Sequence, residues 1–130
     1  MCGMDLSAEM VRQASRRNRE GLANGRVEIG KGEAGALPYK ASRFDQVFTV
    51  HTIYFWEDIK KGFAEIHRVL KPSGRLFVTF MDGAAMAKLE RAKDFRLFTP
   101  EKVEGLLVEA GFHSILQHQK GSFLCIEAMK

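Results

Sequence analysis

Residues 43 to 58 constrain the fold of this chain more than any other stretch. They begin with a short apolar run, rich in β-branched and aromatic side chains such as Phe44, Val47 and Val50, which predicts a buried strand. His51 ends the run, and a helical pattern follows almost directly. In open α/β sheets, ligands bind beyond the carboxyl ends of the strands. We therefore expect His51 to lie at a binding site.

Strands and helices alternate along the rest of the chain. Residues 58–70 carry apolar side chains three and four positions apart, which predicts an amphipathic helix with one buried stripe. Thr99-Pro100-Glu101 is typical of a helix start, with a threonine cap and proline at the first position. Other strands are predicted at 2–4, 27–29, 75–80, 114–118 and 122–129, other helices at 8–19 and 82–93, and loops at 21–25 and 71–74. The alternation predicts an α/β fold, with a mostly parallel sheet under helices and a C-terminal antiparallel hairpin.

Composition and charge narrow the functional classes. The 130 residues suffice for one domain, and they contain no apolar run long enough for a membrane span and no signal-peptide pattern. We therefore expect a cytoplasmic protein without a membrane partner. The net charge of +4 invites nucleic-acid binding, but the basic residues are too dispersed to form a patch and are interpreted as solvated helix faces.

The cysteines and histidines do not form a metal-binding pattern. Cys2 and Cys125 lie far apart in strand-like segments, and the four histidines have no metal spacing with each other or with cysteine. The cysteines are interpreted as two reduced, half-buried thiols, and no metal is expected.

A glycine motif at residues 30–35 (GKGEAG) matches the G-x-G-x-x-G pattern of dinucleotide-binding proteins. That fingerprint requires a helix to begin at the last glycine, because the helix N-terminus receives the pyrophosphate. Pro38 follows too soon for such a helix to continue. We therefore interpret the segment as a loop and disfavour a nicotinamide-binding domain.

Five segments occur in the order and spacing that are typical of one protein family. They are 3–10 (GMDLSAEM), 32–39 (GEAGALPY), 44–51 (FDQVFTVH), 66–76 (IHRVLKPSGRL), and 98–101 (FTPE) with 109–112 (EAGF). Together they resemble the class I methyltransferases that use S-adenosylmethionine, of the small-molecule, type 11-like group. The resemblance covers nearly the whole chain. It implies a Rossmann-like three-layer sandwich that transfers a methyl group from S-adenosylmethionine to a small molecule.

The resemblance also implies a set of cofactor-binding residues. Asp5 would accept hydrogen bonds from the ribose hydroxyls, and Leu6 would pack on the adenosine. Glu33 would accept from the adenine amine, while Ala34 offers its backbone. His51 would line the pocket beside the methyl donor, and its alternative role is general base. Without the resemblance, Asp5 is interpreted as an acidic residue at a helix start and Glu33 as a solvated charged residue on a loop. No catalytic residue is assigned.

One part of the family pattern is missing from the chain. In the family, a first strand and a glycine-rich turn, D-x-G-x-G-x-G in shape, precede the second strand, with which residues 1–5 are aligned. That first strand lies between the strands that here end at Asp5 and at His51, so we expect two buried strand edges that lack a partner. Residues 1–130 are accordingly predicted to form a methyltransferase domain that is incomplete at its N-terminus.

Three explanations of the missing strand remain open. The chain is a fragment of a complete enzyme, or it closes the gap by pairing strands differently or with a second copy, as a homo-oligomer or strand-exchanged dimer. Otherwise it is a donor-binding remnant that acts as a partner subunit. The alternative from another functional class is a non-catalytic interaction module that keeps the fold.

Overall fold

The computed structural model of the protein describes residues 1–89 and 96–130. Six strands and five helices lie in these ranges. The strands are β1 (Cys2–Asp5), β2 (Glu28–Lys31), β3 (Phe44–Val50), β4 (Leu70–Met81), β5 (His113–Lys120) and β6 (Phe123–Met129). The helices are α1 (Ala8–Arg17), α2 (Arg19–Ala23), α3 (Ile59–Val69), α4 (Gly83–Met86) and α5 (Pro100–Glu109), and a single 3₁₀ turn spans Ile53–Phe55.

The strands form two separate sheets. β1 and β2 pair in parallel as a two-stranded sheet. The other four are ordered β3-β4-β6-β5, with β3 parallel to β4 and an antiparallel hairpin of β5 and β6. Within the described ranges, β1 pairs only with β2 and β3 only with β4. The predicted lack of a partner on one edge of β1 and one edge of β3 is therefore confirmed, and so is the C-terminal hairpin. The prediction that these edges are buried is wrong, because β1 has no buried residue and β3 has only Thr49.

Three helices begin at polar caps, close to the helix starts that the sequence predicts. The Ser7 side chain accepts the Met10 backbone N–H at 3.3 Å at the start of α1. At the start of α3, the Asp58 side chain accepts the Lys61 N–H at 3.1 Å. At the start of α5, the Thr99 side chain accepts the Lys102 N–H, also at 3.1 Å. Each cap satisfies one backbone donor that the first helical turn leaves without a partner.

The hydrophobic core lies between the four-stranded sheet and helices α3 and α5. Alternate residues of β4 and β6 point into it, as the two-residue period of a strand requires. The core residues from these strands are Leu76, Val78, Phe80, Leu124, Ile126 and Ala128, and the helices contribute Phe63, Ile66, Val103 and Leu107. On the opposite face, Phe48 stacks on Phe77 and is 64% exposed.

The prediction that the 44–50 strand is buried is wrong. β3 forms as expected, but Phe48 and Val50 are exposed and, within this strand, only Thr49 is buried. The physical reason is position, because β3 is the outer strand of its sheet and its second edge faces a cleft. The apolar composition of residues 44–50 indicated a strand, but it could not show that this strand lies at the edge of its sheet.

Three other boundaries differ from prediction. The loop expected at 21–25 contains the end of α2, and the loop expected at 71–74 is part of β4, where the pairing with β3 is irregular and Ser73 adopts a φ of 66°. The helix expected at 82–93 is limited to Gly83–Met86, and residues 90–93 lie outside the described ranges. No helix begins at Gly35, as expected.

Candidate functional site

A cleft of about 1180 Å³ separates the two sheets. β1 and the start of α1 form one wall, and β3 with the 3₁₀ turn forms the other. Six exposed apolar side chains line it: Met1, Leu6, Met10, Phe48, Val50 and Phe55. Sites for small molecules have volumes of roughly 300–1,000 Å³. The cleft exceeds this range because it also occupies the place between β1 and β3 at which the family pattern has its first strand.

Asp5 ends β1 at this cleft, and the local backbone fixes its side chain. The Ser7 backbone N–H donates to Asp5 Oδ1 at 2.9 Å, which leaves Oδ2 available to a bound molecule. The main-chain oxygen of Asp5 accepts the Gly32 N–H at 3.0 Å. This second bond brings the loop after β2, with Ala34, to the same cleft.

The structure brings four of the five predicted cofactor-binding residues together. Asp5, Leu6, Ala34 and His51 all line the cleft. Glu33 does not line it, and its side chain is exposed on the loop.

An ion pair on α3 anchors the loop between β2 and β3. Arg68 donates to the carbonyl oxygens of Tyr39 at 2.7 Å and Leu37 at 3.0 Å. Glu65 accepts from Arg68 Nε at 2.6 Å and from the Leu37 N–H at 3.0 Å. The hydrogen bond from Arg68 lowers the pKa of Glu65, so that carboxylate stays charged. The pair thus holds the loop that carries Ala34.

His51 stands at the end of β3 in an uncommon backbone conformation. Its φ is 52°, in the left-handed region, and its N–H donates to the Thr79 carbonyl oxygen at 2.8 Å. His51 Nδ1 lies 3.3 Å from the Tyr54 hydroxyl, which accepts the Met81 N–H at 2.5 Å. Burial raises the pKa of Tyr54, so its hydroxyl keeps its proton. The contacts of Tyr54 with His51 and Met81 were not predicted from the sequence.

Arg43 closes the opposite end of the cleft. Its Nη2 is 3.6 Å from a Glu28 carboxylate oxygen and 3.7 Å from Cys2 Sγ, so it joins β3 to the first sheet. Its guanidinium also lies over the rings of Tyr39 and Phe44. Among the described residues that line the cleft, Arg43 carries the one basic side chain.

The described ranges contain neither a candidate membrane span nor a candidate metal cluster. No helix there has the length and apolar character to cross a bilayer. The same residues contain no group of three or more histidine, cysteine or acidic side chains placed to hold a metal ion. Cys2 and Cys125 are free and half-buried, as predicted.

Parallel strands with crossover helices, an acid at one strand end and a histidine at another define a Rossmann-like α/β domain with a ligand cleft. Residues 1–78 match the family described as a methyltransferase domain. The match covers more than half of the chain, which therefore belongs to this methyltransferase family.

Individual relatives agree with this assignment. YrhH of Bacillus subtilis, named as a methyltransferase, is 32% identical over 127 residues, which are 98% of this chain and 63% of YrhH. A malonyl-[acyl-carrier protein] O-methyltransferase of Geobacter sulfurreducens is 31% identical over 126 residues, covering 86% of this chain and 46% of that enzyme. The chain thus spans about half to two thirds of these relatives.

A solved structure confirms the fold class. A SAM-dependent methyltransferase from Thermotoga maritima superposes with a TM-score of 0.83 at 26% identity. The superposition covers 99% of this chain and 72% of the other. Both sheets are included in it, so their mutual placement is that of a Rossmann-like methyltransferase.

Proposed function

We propose that this chain provides the adenosine-binding wall of a methyltransferase that uses S-adenosylmethionine and acts on a small molecule. One observation carries the proposal: the cleft between the sheets brings Asp5, Leu6 and Ala34 together with His51. Membership of the methyltransferase family supports it. In that family S-adenosylmethionine is the methyl donor, and the Geobacter relative is named for a malonyl-[acyl-carrier protein] substrate.

The residues of the cleft fit the adenosine half of this donor. The Asp5 carboxylate, oriented by the Ser7 N–H, can accept from ribose hydroxyls as a charge-assisted hydrogen bond. Leu6 and Met10 offer apolar surface to the adenine, and Ala34 offers its backbone. Glu33 is proposed from the resemblance alone, and its exposed side chain would have to turn toward the cleft to reach an adenine amine.

When bound, S-adenosylmethionine would supply an activated methyl group for direct in-line displacement. The contribution of the chain is then to orient the reactants and exclude water. Phe48, Val50 and Phe55 give the cleft an apolar wall suited to excluding water. His51 lies on the same side, where a methyl acceptor would be placed.

Calorimetric titration with S-adenosylhomocysteine tests the proposal on the wild-type chain and on Asp5→Asn. Hydrogen bonds to a charged group contribute about 1.5–3 kcal/mol, and each 1.4 kcal/mol is about tenfold in Kd. We therefore expect Asp5→Asn to weaken binding about 10–100-fold. Asp45→Asn is the matched control, because Asp45 lines the other end of the cleft and pairs with Lys71. Its affinity should stay near that of the wild type.

Three results would contradict the assignment. Equal affinity of Asp5→Asn and wild type would remove Asp5 from the site. Absence of binding by the wild-type chain would favour the alternative, a non-catalytic interaction module or partner subunit. Binding of NAD in place of S-adenosylhomocysteine would favour a nicotinamide-binding domain.

We also propose that the chain self-associates through its unpaired strand edges. β1 and β3 each present one edge without a strand partner in the described ranges, and such edges recruit other strands. Homo-oligomers, including a strand-exchanged dimer, would pair them. Sedimentation velocity should show a dimer or larger species whose population rises with concentration, and a monomer at all concentrations would refute this.

A further inference from the structure

His51 is anchored at a fixed position in the cleft. Its backbone N–H bonds to Thr79 of the neighbouring strand, and its φ of 52° is uncommon for a residue other than glycine. Such conformations occur preferentially at functional sites. The ring contacts Phe123 at a centroid distance of 5.2 Å and Tyr54 at 6.3 Å. The backbone and these two rings therefore restrict the orientation of the imidazole.

The hydrogen bonds of Tyr54 constrain the protonation of this imidazole. A tyrosine hydroxyl has one proton to donate and can accept hydrogen bonds as well. The backbone N–H of Met81 can only donate, so the Tyr54 oxygen is its acceptor. The hydroxyl proton is then directed elsewhere, and His51 Nδ1 lies 3.3 Å away. A neutral imidazole carries its proton on one nitrogen, so an Nδ1 that accepts places the proton on Nε2.

We propose that Tyr54 is a positioning residue that holds neutral His51 in the tautomer with a bare Nδ1 and a protonated Nε2. His51 then offers a bound molecule an N–H donor instead of a base. The partner that this donor recognises is an oxygen acceptor, such as a carboxylate or a carbonyl. This inference rests on the proposed function only for the identity of the bound molecule, because the tautomer itself is a property of the free chain.

Nitrogen-15 NMR of the histidine rings tests the proposal directly. Long-range proton–nitrogen correlations distinguish a protonated from a bare ring nitrogen, and the His51→Gln spectrum assigns the His51 signals. In the wild type above the titration range, we expect one tautomer, with Nε2 protonated. In Tyr54→Phe, we expect a mixture of the two tautomers at His51. His67, His113 and His118 should not change.

Two controls separate the hydroxyl from a general effect on folding. Tyr39→Phe is the matched variant, because Tyr39 is the other tyrosine of the chain and contacts Arg43 and Phe44 instead of His51. It should leave the His51 spectrum unchanged. If Tyr54→Phe does not fold, replacing both tyrosines with 3-fluorotyrosine keeps the shape and strengthens the donor. The His51 Nδ1 resonance should then move, whereas the resonances of the other histidines should not.

Each contrary result overturns a defined part of the proposal. A wild-type His51 protonated on Nδ1 refutes the tautomer. A Tyr54→Phe spectrum identical to that of the wild type refutes the role of Tyr54. Titration with S-adenosylhomocysteine and with adenosine then assigns the acceptor. A shift of the Nε2–H signal with the first ligand alone indicates the carboxylate of S-adenosylhomocysteine, and a shift with both ligands indicates the nucleoside. A shift with neither ligand refutes recognition of either molecule by this N–H group. If S-adenosylhomocysteine does not bind, the proposed function fails while the tautomer result stands.

Discussion

Gly62 provides a quantitative test of how Trp56 is held beside the cleft. A Cβ at this buried position of α3 would meet Trp56 Cε3 at 2.5 Å and Cζ3 at 2.8 Å. The indole is 8% exposed and packs edge-on against Phe63 at a centroid distance of 5.3 Å. Because the ring is fixed in the core, Gly62→Ala must displace it.

Two opposing effects decide whether Gly62→Ala raises or lowers the free energy of unfolding. Alanine stabilises a helix interior by about 0.8–1 kcal/mol relative to glycine. Overpacking a well-packed site costs about 1–3 kcal/mol. The net expectation for Gly62→Ala is a loss of about 0–2 kcal/mol. Gly105 of α5 is the matched control, because its Cβ would meet no atom within 4 Å, so Gly105→Ala should gain about 1 kcal/mol from helix propensity alone.

Urea unfolding measures the difference between the two variants. Trp56 is the only tryptophan of the chain, so its emission reports both the unfolding transition and its own displacement. With a slope of about 1–3 kcal/mol per molar urea, 1 kcal/mol moves the midpoint by roughly 0.3–1 M. Gly105→Ala should raise the midpoint, and Gly62→Ala should lower it or leave it unchanged with a shifted emission. An equal rise in both variants would show that Trp56 is not held against α3, and the reasoning would fail.

Two other predictions concern helices α3 and α5. Burial, with a smaller contribution from Lys130, lowers the pKa of His67 below its ordinary value of 6.5. The unfolded chain therefore binds a proton that the folded chain does not, so stability should fall as the pH decreases through 6.5 toward the folded pKa and then level off. His67→Gln should flatten this part of the stability curve, and a curve of unchanged slope would contradict it. Thr99→Ala removes the cap that accepts the Lys102 N–H and should cost about 1 kcal/mol in urea unfolding, whereas no change would show that the cap is dispensable.

Local chemistry made much of the fold predictable from sequence. The starts of α1, α3 and α5 follow from Ser7, Asp58 and Thr99, because each cap involves only residues three positions away. The family pattern predicted that β1 and β3 would lack a common partner. The exposure of β3 was not predictable from its apolar residues, because it depends on whether a neighbouring strand is present.

The hydrogen bonds that hold the site in place could not be predicted from sequence patterns. Arg68 holds the carbonyl oxygen of Leu37 across 31 positions, and Tyr54 accepts the Met81 N–H across 27. Neither residue has a periodicity that indicates its partner. The resemblance selected Asp5, Leu6, Ala34 and His51, which line the cleft, but it could not show that Glu33 is exposed and does not line it.

The two walls of the cleft differ in how firmly they are held, and this difference bears on binding. No residue from 1 to 31 is buried, whereas β4, β6, α3 and α5 share the core. Segments with few buried contacts open at low free energy, so the wall that carries Asp5 is the more easily displaced. A molecule that contacts both Asp5 and His51 would join the two sheets, and its binding energy would also hold the first sheet in place. We therefore expect S-adenosylhomocysteine to slow amide hydrogen exchange in β1 and β2 more than in β4, and equal slowing in both would place the ligand elsewhere.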